Sequence, residues 1–159
     1  MTWDSFFSAE VGAAAALAGL IFVGISINLQ RILALPMIAR RAFQALLILL
    51  GILAVVSILL VPGLNGTDSG SSVLVVAVLL LLTLDLIEVN SWKGVAPNLR
   101  MLLFQHTVEI QLPPLMMLLG GAALLIGNAW ALYWFLPATL LSFLVALIEA
   151  WVITVEILR

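Results

Sequence analysis

Five apolar stretches, each long enough to cross a lipid bilayer, are the feature that most constrains the fold of this chain. An α-helix rises ~1.5 Å per residue, so about 20 apolar residues cross the ~30 Å hydrocarbon core of a membrane. The stretches cover residues 6–30, 42–61, 73–92, 101–127 and 134–158. We therefore predict an all-α, polytopic membrane helix bundle with five transmembrane helices, forming one domain over residues 1–159.

The composition agrees with an integral membrane protein, because 65% of the residues are hydrophobic and only 9% are charged. The few basic residues are scattered and the net charge is −2, which excludes the basic surface that a DNA- or RNA-binding protein needs. The absence of cysteine excludes disulfides and thiolate metal sites. The N-terminal segment lacks the basic start of a signal peptide, so we expect the first stretch to be retained as a span.

The basic residues predict the orientation of the bundle, because basic connections remain on the cytoplasmic side of a membrane. All six of them fall in alternate connections or at the C-terminus: Arg31, Arg40, Arg41, Lys93, Arg100 and Arg159. We expect the N-terminus outside and the C-terminus inside a bacterial cytoplasmic (inner) membrane. The aromatic group of Trp130, Tyr133 and Trp134 would then mark the outer boundary, where amphipathic rings are favoured.

The fourth stretch contains two adjacent prolines, Pro113 and Pro114, which raise the question of whether it crosses the membrane as one helix. A helix from Pro113 to Gly127 would have about 15 residues and a length of ~22 Å, which is too short to cross. We therefore predict one long helix with a proline kink. Because Pro113 cannot donate to the carbonyl group of Glu109, the kink would free a backbone oxygen beside a carboxylate.

Small residues line one face of the first stretch. They are Gly12, Ala15, Ala16 and Gly19. Small residues spaced in this way let helix backbones approach closely in lipid. We expect this face to be a packing seam, either within the protomer or between protomers, and we expect the protein to be a homo-oligomer.

Ionisable residues inside the last three stretches are the candidate functional groups. They are Asp85 and Glu88 in the third, His106 and Glu109 in the fourth, and Glu149 in the fifth. The two members of each pair are three residues apart, so they lie on one side of their helix. If successive helices run in alternating directions, all five residues lie at overlapping depths in the cytoplasmic half of the bundle.

An acidic cavity is the favoured interpretation of these five residues. A charged carboxylate at mid-bilayer costs at least ~2.5 kcal/mol, so acids from three helices should converge on a shared cavity and not face lipid. Conduction or transport of protons or small cations is the expected function. Glu88 would lie at the cavity mouth, and His106, with an unperturbed pKa of ~6.5, would respond to pH. The simpler alternative is that these groups only join the helices by hydrogen bonds, worth ~0.6 kcal/mol each.

A metal site is a further alternative, with His106 and Glu109 as its ligands. A ferritin-like di-metal centre needs Glu-x-x-His motifs on two helices, whereas this chain has one histidine, in the reversed order His-x-x-Glu. The sequence also lacks a phosphate-binding loop, a dinucleotide-binding fingerprint and an HExxH motif. We predict that the protein is not an enzyme and that it has no cofactor, unless a metal cation is bound.

The segment "FFSAEVGAAAALAGLIFVGISINLQRIL", together with "LVPG" at residues 60–63, resembles small bacterial integral membrane proteins of uncharacterised activity. Some of these are labelled modulators of the FtsH protease. The resemblance covers residues 6–63. It implies a non-catalytic interaction or modulator protein with another membrane protein as its partner, in which the polar residues need not carry any chemistry.

Overall fold

Six α-helices and two 3₁₀ turns make up the part of the chain that the computed structural model describes, residues 2–92 and 97–158. The α-helices are α1 Trp3–Ile27, α2 Leu29–Ala34, α3 Pro36–Leu59, α4 Gly66–Trp92, α5 Arg100–Leu125 and α6 Phe135–Leu158. The 3₁₀ turns are Pro97–Leu99 and Ala131–Trp134. No strand occurs among these residues. Lys93 and Arg159, which contributed to the predicted orientation, lie outside the described residues.

Five of the helices, α1 and α3 to α6, are long and apolar enough to cross a membrane. Large apolar side chains lie on the outside of the bundle, and Leu20, Ile27 and Trp151 are all more than 70% exposed there. Such a surface is suited to lipid and not to water. The predicted all-α bundle of five spans is therefore confirmed, and the chain is a multi-pass membrane protein.

Two helices begin six or more residues earlier than the apolar stretches predicted. Helix α3 begins at Pro36, six residues before the predicted start, because proline is favoured in the first turn of a helix, where its missing N–H is not needed. Helix α4 begins at Gly66, seven residues before the predicted start. There the side chain of Asn65 accepts a hydrogen bond of 2.8 Å from the backbone N–H of Asp68, which caps the helix. Hydrophobicity alone could not locate these starts, since Arg40 and Arg41 interrupt the apolar sequence after Pro36 and the segment after Gly66 is polar.

Helix α5 continues through Pro113 and Pro114, which confirms the prediction of one long fourth span. Its later part packs against the beginning of α4 at two glycines, Gly70 and Gly121. A methyl group built on Gly70 would lie 2.9 Å from the carbonyl oxygen of Gly121. The backbones of α4 and α5 are therefore in direct contact, as small residues permit in membrane helix pairs.

The central helix is α3, whose apolar side chains form much of the core. Ile48, Ile52 and Val55 are completely buried, and they belong to one apolar cluster with Phe7 of α1 and Phe135 of α6. This cluster fills the half of the bundle that contains the start of α6. The other half, toward the start of α3, contains the buried acidic residues Glu88 and Glu149.

Aromatic rings gather at the end of the bundle where α1 and α6 begin. The ring centroids of Trp3 and Tyr133 are 4.9 Å apart, and those of Trp130 and Tyr133 are 5.2 Å apart. Glu149 lies 14 residues after Phe135 in α6, a distance of ~21 Å along the helix. The aromatic end and the polar half of the bundle are therefore well separated, as the sequence predicted.

Candidate functional site

Four helices place polar side chains at the same level in the half of the bundle where α3 begins. Helices α3 and α5 contribute residues near their starts, and helices α4 and α6 contribute residues near their ends, because successive spans run in opposite directions. We call these residues the polar cluster. Its members are Arg41 and Gln44 of α3, Glu88 of α4, His106 of α5 and Glu149 of α6.

Arg41 and Glu149 form the strongest contact of the polar cluster. The Nε atom of Arg41 donates to Oε2 of Glu149 at 2.6 Å, and Nη2 donates to Oε1 at 3.0 Å. The side chain of Glu149 is completely buried, whereas that of Arg41 is 22% exposed. A bidentate pair of this kind compensates a carboxylate that has been removed from water.

His106 lies between two carboxylates from different helices. Its Nδ1 atom is 3.5 Å from Oε1 of Glu88, and its Nε2 atom is 3.1 Å from Oε1 of Glu149. The second contact has the length of a hydrogen bond but not its direction, so we describe it as an ion-pair contact. Each ring nitrogen therefore has a proton acceptor close by.

Glu88 is buried, which corrects the prediction that it lies at a cavity mouth. Its side chain is only 3% exposed, and Oε2 accepts a hydrogen bond of 3.1 Å from Nε2 of Gln44. The hydroxyl group of Thr107 lies 3.3 Å from Oε1 and also 2.9 Å from the carbonyl oxygen of Leu103. Glu88 is therefore covered by side chains of α3 and α5.

Asp85 and Glu109 do not join the polar cluster, so the predicted convergence of five residues is wrong for these two. Asp85 is exposed on the bundle surface, where its Oδ1 accepts a hydrogen bond of 2.6 Å from Gln111. Glu109 lines a separate apolar groove between α5 and α6, beside Leu141 and Leu144. Residues three apart differ by about 60° around a helix, which is enough to point them into different spaces. A role for either in an ion pathway stays a prediction.

The small-residue face of α1 is not a packing seam within the protomer. Gly12, Ala15, Ala16 and Gly19 are all exposed. A methyl group built on Gly12 or Gly19 would have no neighbour within 4 Å. Helix α1 packs against the other helices through its opposite face, which contains Phe7, Ala14 and Ile21. Contact between protomers is the alternative that remains, and it stays a prediction.

Arg41 and Gln44 were missed as site residues by the sequence analysis. The predicted second span began at residue 42, which left Arg41 in a connection. Recognising Pro36 as the first residue of a helix would have placed Arg41 inside that helix, directly before the apolar stretch. Gln44 could also have been identified as a candidate from the sequence, since it is a polar residue close to the start of a long apolar run.

A cleft of about 410 Å³ leads from the surface to the polar cluster, between the starts of α3 and α5. Its ionisable lining residues are Arg40, Arg41 and His106, and no acidic residue among those that the structure describes lines it. The acids of the polar cluster lie behind these basic groups and are buried. The cluster therefore presents positive charge to the cleft, and not the acidic cavity that the sequence predicted.

The predicted metal ligands, His106 and Glu109, are directed into different spaces. His106 lines the cleft and contacts the polar cluster, whereas Glu109 lines the groove between α5 and α6. Within the described ranges, no group of three or more histidine or acidic side chains is placed to hold a metal ion. In the polar cluster itself, both oxygens of Glu149 are already bound by Arg41.

No protein-family model, no curated protein and no solved structure matches the chain. The function must therefore be argued from the polar cluster and its surroundings.

Proposed function

We propose that this protein transports protons, and that Glu88, His106 and Glu149 are the groups that carry them. The supporting observation is the position of His106, whose two ring nitrogens are 3.5 Å and 3.1 Å from carboxylates on two other helices. An imidazole can take up a proton at one nitrogen and release one from the other. A histidine between two acceptors therefore has the arrangement that a proton relay requires.

Protons suit this cluster better than metal cations do. A cation such as sodium needs several free oxygen ligands, whereas Glu149 is bound by Arg41 and Glu88 is bound by Gln44. A proton needs only one acceptor at hydrogen-bond distance at each step. The relay would work with the carboxylates held in place by these partners.

The two ends of the relay differ in their access to the outside. The cleft opens to His106 at one end, while the core toward the aromatic end is packed with fully buried residues such as Ile52 and Val55. Among the described residues, the buried polar side chains in that direction are Thr139 and Ser142 of α6 and Ser69 of α4. We infer alternating access, in which the second half opens only transiently, and not a permanent pore through one protomer.

A flux measurement tests this proposal. The protein is reconstituted into vesicles, a potassium diffusion potential is imposed with valinomycin, and the internal pH is followed with a dye. We expect proton entry with the native chain and its loss in His106→Gln. Glu109→Gln is the matched control, because it removes an ionisable group from the same helix but from outside the polar cluster. Glu88→Gln serves as a second test variant that retains the size of the side chain.

Two outcomes would reject this proposal, the first for proton transport itself and the second for the three groups assigned to it. The first is native protein that carries protons no faster than empty vesicles under any imposed gradient. The second is flux that survives both His106→Gln and Glu88→Gln but disappears in Glu109→Gln. Flux of sodium in the same vesicles, or of potassium in vesicles without valinomycin, would identify a small cation as the transported species instead.

An interaction or modulator protein is the second candidate, supported by the exposed small-residue face of α1. A flat face of this kind is suited to a helix of another membrane protein. This function would become the better account if no flux appears and if Asp85→Asn and Glu109→Gln leave folding and oligomer size unchanged.

Stoichiometric iron, manganese or zinc in the purified protein would favour a metal-binding protein. For each candidate we place the protein in a bacterial cytoplasmic membrane, with the cleft on the cytoplasmic side.

A further inference from the structure

We propose that the cleft between the starts of α3 and α5 binds an anionic phospholipid, with its phosphate group at Arg40 and Arg41. This site is distinct from proton transport and does not depend on it. Three features of the cleft support this site: its charge, an unsatisfied hydrogen-bond donor and its apolar wall.

The charge of the cleft favours an anion. Arg40 and Arg41 line it directly, together with His106. Glu88 and Glu149, which could offset this charge, are 2% and 0% exposed and lie behind the basic side chains. An anion entering from the membrane surface therefore meets basic groups first.

An unsatisfied hydrogen-bond donor supports the same conclusion. The Nε atom of Arg40 is buried and has no acceptor. A buried donor without a partner costs about 1–3 kcal/mol, and more when the group is charged. Glu149 binds Nε and Nη2 of Arg41, so Nη1 of Arg41 is not used by that carboxylate. A phosphate group has enough oxygens to accept from both guanidinium groups.

The apolar wall of the cleft favours a lipid over free phosphate. Met37, Leu99 and Leu102 line the cleft and are 59%, 48% and 61% exposed. Free phosphate would leave this wall without a partner, whereas an acyl chain would cover it. Helices α3 and α5 both begin here, so the arginines lie near the end of the spans, at the depth of lipid headgroups. Basic pockets between transmembrane helices are known to hold such headgroups.

Lipid binding to the intact purified protein tests this proposal. The protein in neutral detergent is titrated with phosphatidylglycerol, or with phosphatidylcholine of the same acyl chains, and bound lipid is counted by native mass spectrometry. We expect preferential binding of phosphatidylglycerol and about fivefold weaker binding in Arg40→Gln. Arg100→Gln is the matched control, because it makes the same charge change at an exposed position that does not line the cleft. The control should retain the native affinity.

Leu102→Trp is a second variant that leaves the charge unchanged. Its exposed side chain can be enlarged without disturbing the core, and the larger ring would fill the cleft. We expect weaker binding of phosphatidylglycerol in this variant also. It therefore tests the lipid site even if Arg40→Gln fails to fold. Equal binding of the two lipids, or equal losses in Arg40→Gln and Arg100→Gln, would overturn the proposal. Complete displacement of phosphatidylglycerol by millimolar inorganic phosphate would identify a free-anion site instead.

Discussion

Arg41 of α3 holds both carboxylate oxygens of Glu149 of α6, at 2.6 Å and 3.0 Å, and Glu149 also lies 3.1 Å from His106 of α5. One carboxylate thus connects three helices. The pairing explains how a completely buried glutamate is tolerated within a membrane protein, since intramembrane acids need a partner or a polar cavity. Variants of Arg41 therefore test the stability of the polar cluster, whereas variants of His106 test its proposed proton transfer.

Replacing Arg41 alone should be strongly destabilising. We expect Arg41→Met to lower the free energy of unfolding by ~3 kcal/mol, because it leaves the buried Glu149 without its cation. The double variant Arg41→Met with Glu149→Met should regain much of this loss, since neither charge is then buried. The measurement is denaturant unfolding in detergent micelles. Arg100→Met is the control, and its effect should stay within ~0.5 kcal/mol because Arg100 is exposed. A double variant as unstable as the single one would contradict the assigned role of the pair.

Gln44 should stabilise the protein through Glu88. Its Nε2 donates to Oε2 of Glu88 at 3.1 Å, and both side chains are buried. We expect Gln44→Leu to lower the free energy of unfolding by ~1.5 kcal/mol, at the lower end for a bond to a charged group, because the Oε1 atom of Gln44 is already unsatisfied. Gln30→Leu makes the same change at an exposed position of α2. Equal stability of the two variants would show that the Gln44 bond contributes nothing.

Gly70 should be intolerant of even one methyl group. In Gly70→Ala, the new Cβ would lie 2.9 Å from backbone atoms of both Gly121 and Leu125, so α4 and α5 must separate. We expect a loss of ~1–3 kcal/mol in the free energy of unfolding, the usual cost of overpacking. Gly12→Ala is the control, because its Cβ meets nothing within 4 Å. That variant should be neutral or slightly more stable, since alanine favours a helix; a loss equal to that of Gly70→Ala would argue against the close contact.

The small-residue face of α1 should determine the size of a homo-oligomer. Because Gly12 and Gly19 are exposed in the protomer, Gly12→Leu with Gly19→Leu should leave its unfolding temperature unchanged. Bulky side chains would however keep two copies of α1 apart. We expect a smaller assembly by light scattering and by cross-linking in membranes. Ala13→Leu, exposed about 100° away around the helix, is the control. An unchanged assembly size in the double variant would exclude this face as the contact.

Several features of the fold followed directly from local sequence. The five spans could be predicted because the thickness of a membrane is fixed, so the length of an apolar run shows whether it can cross. The continuity of α5 through Pro113 and Pro114 followed from the same comparison, since the part after the prolines is too short to cross. The starts at Pro36 and Gly66 were not obtained, because helices extend past their apolar runs into capping and proline positions.

The sequence by itself determined that this is a five-span helical membrane protein and that Glu88, His106 and Glu149 are candidate groups. Only the tertiary structure decided that these three meet, while Asp85 and Glu109 point elsewhere. It also brought Arg41 to Glu149 across 108 residues of sequence. The physical reason is that the rotation of each helix is set by the packing of apolar side chains against its neighbours. Local periodicity shows which residues share a face, but not which neighbouring helix that face will contact.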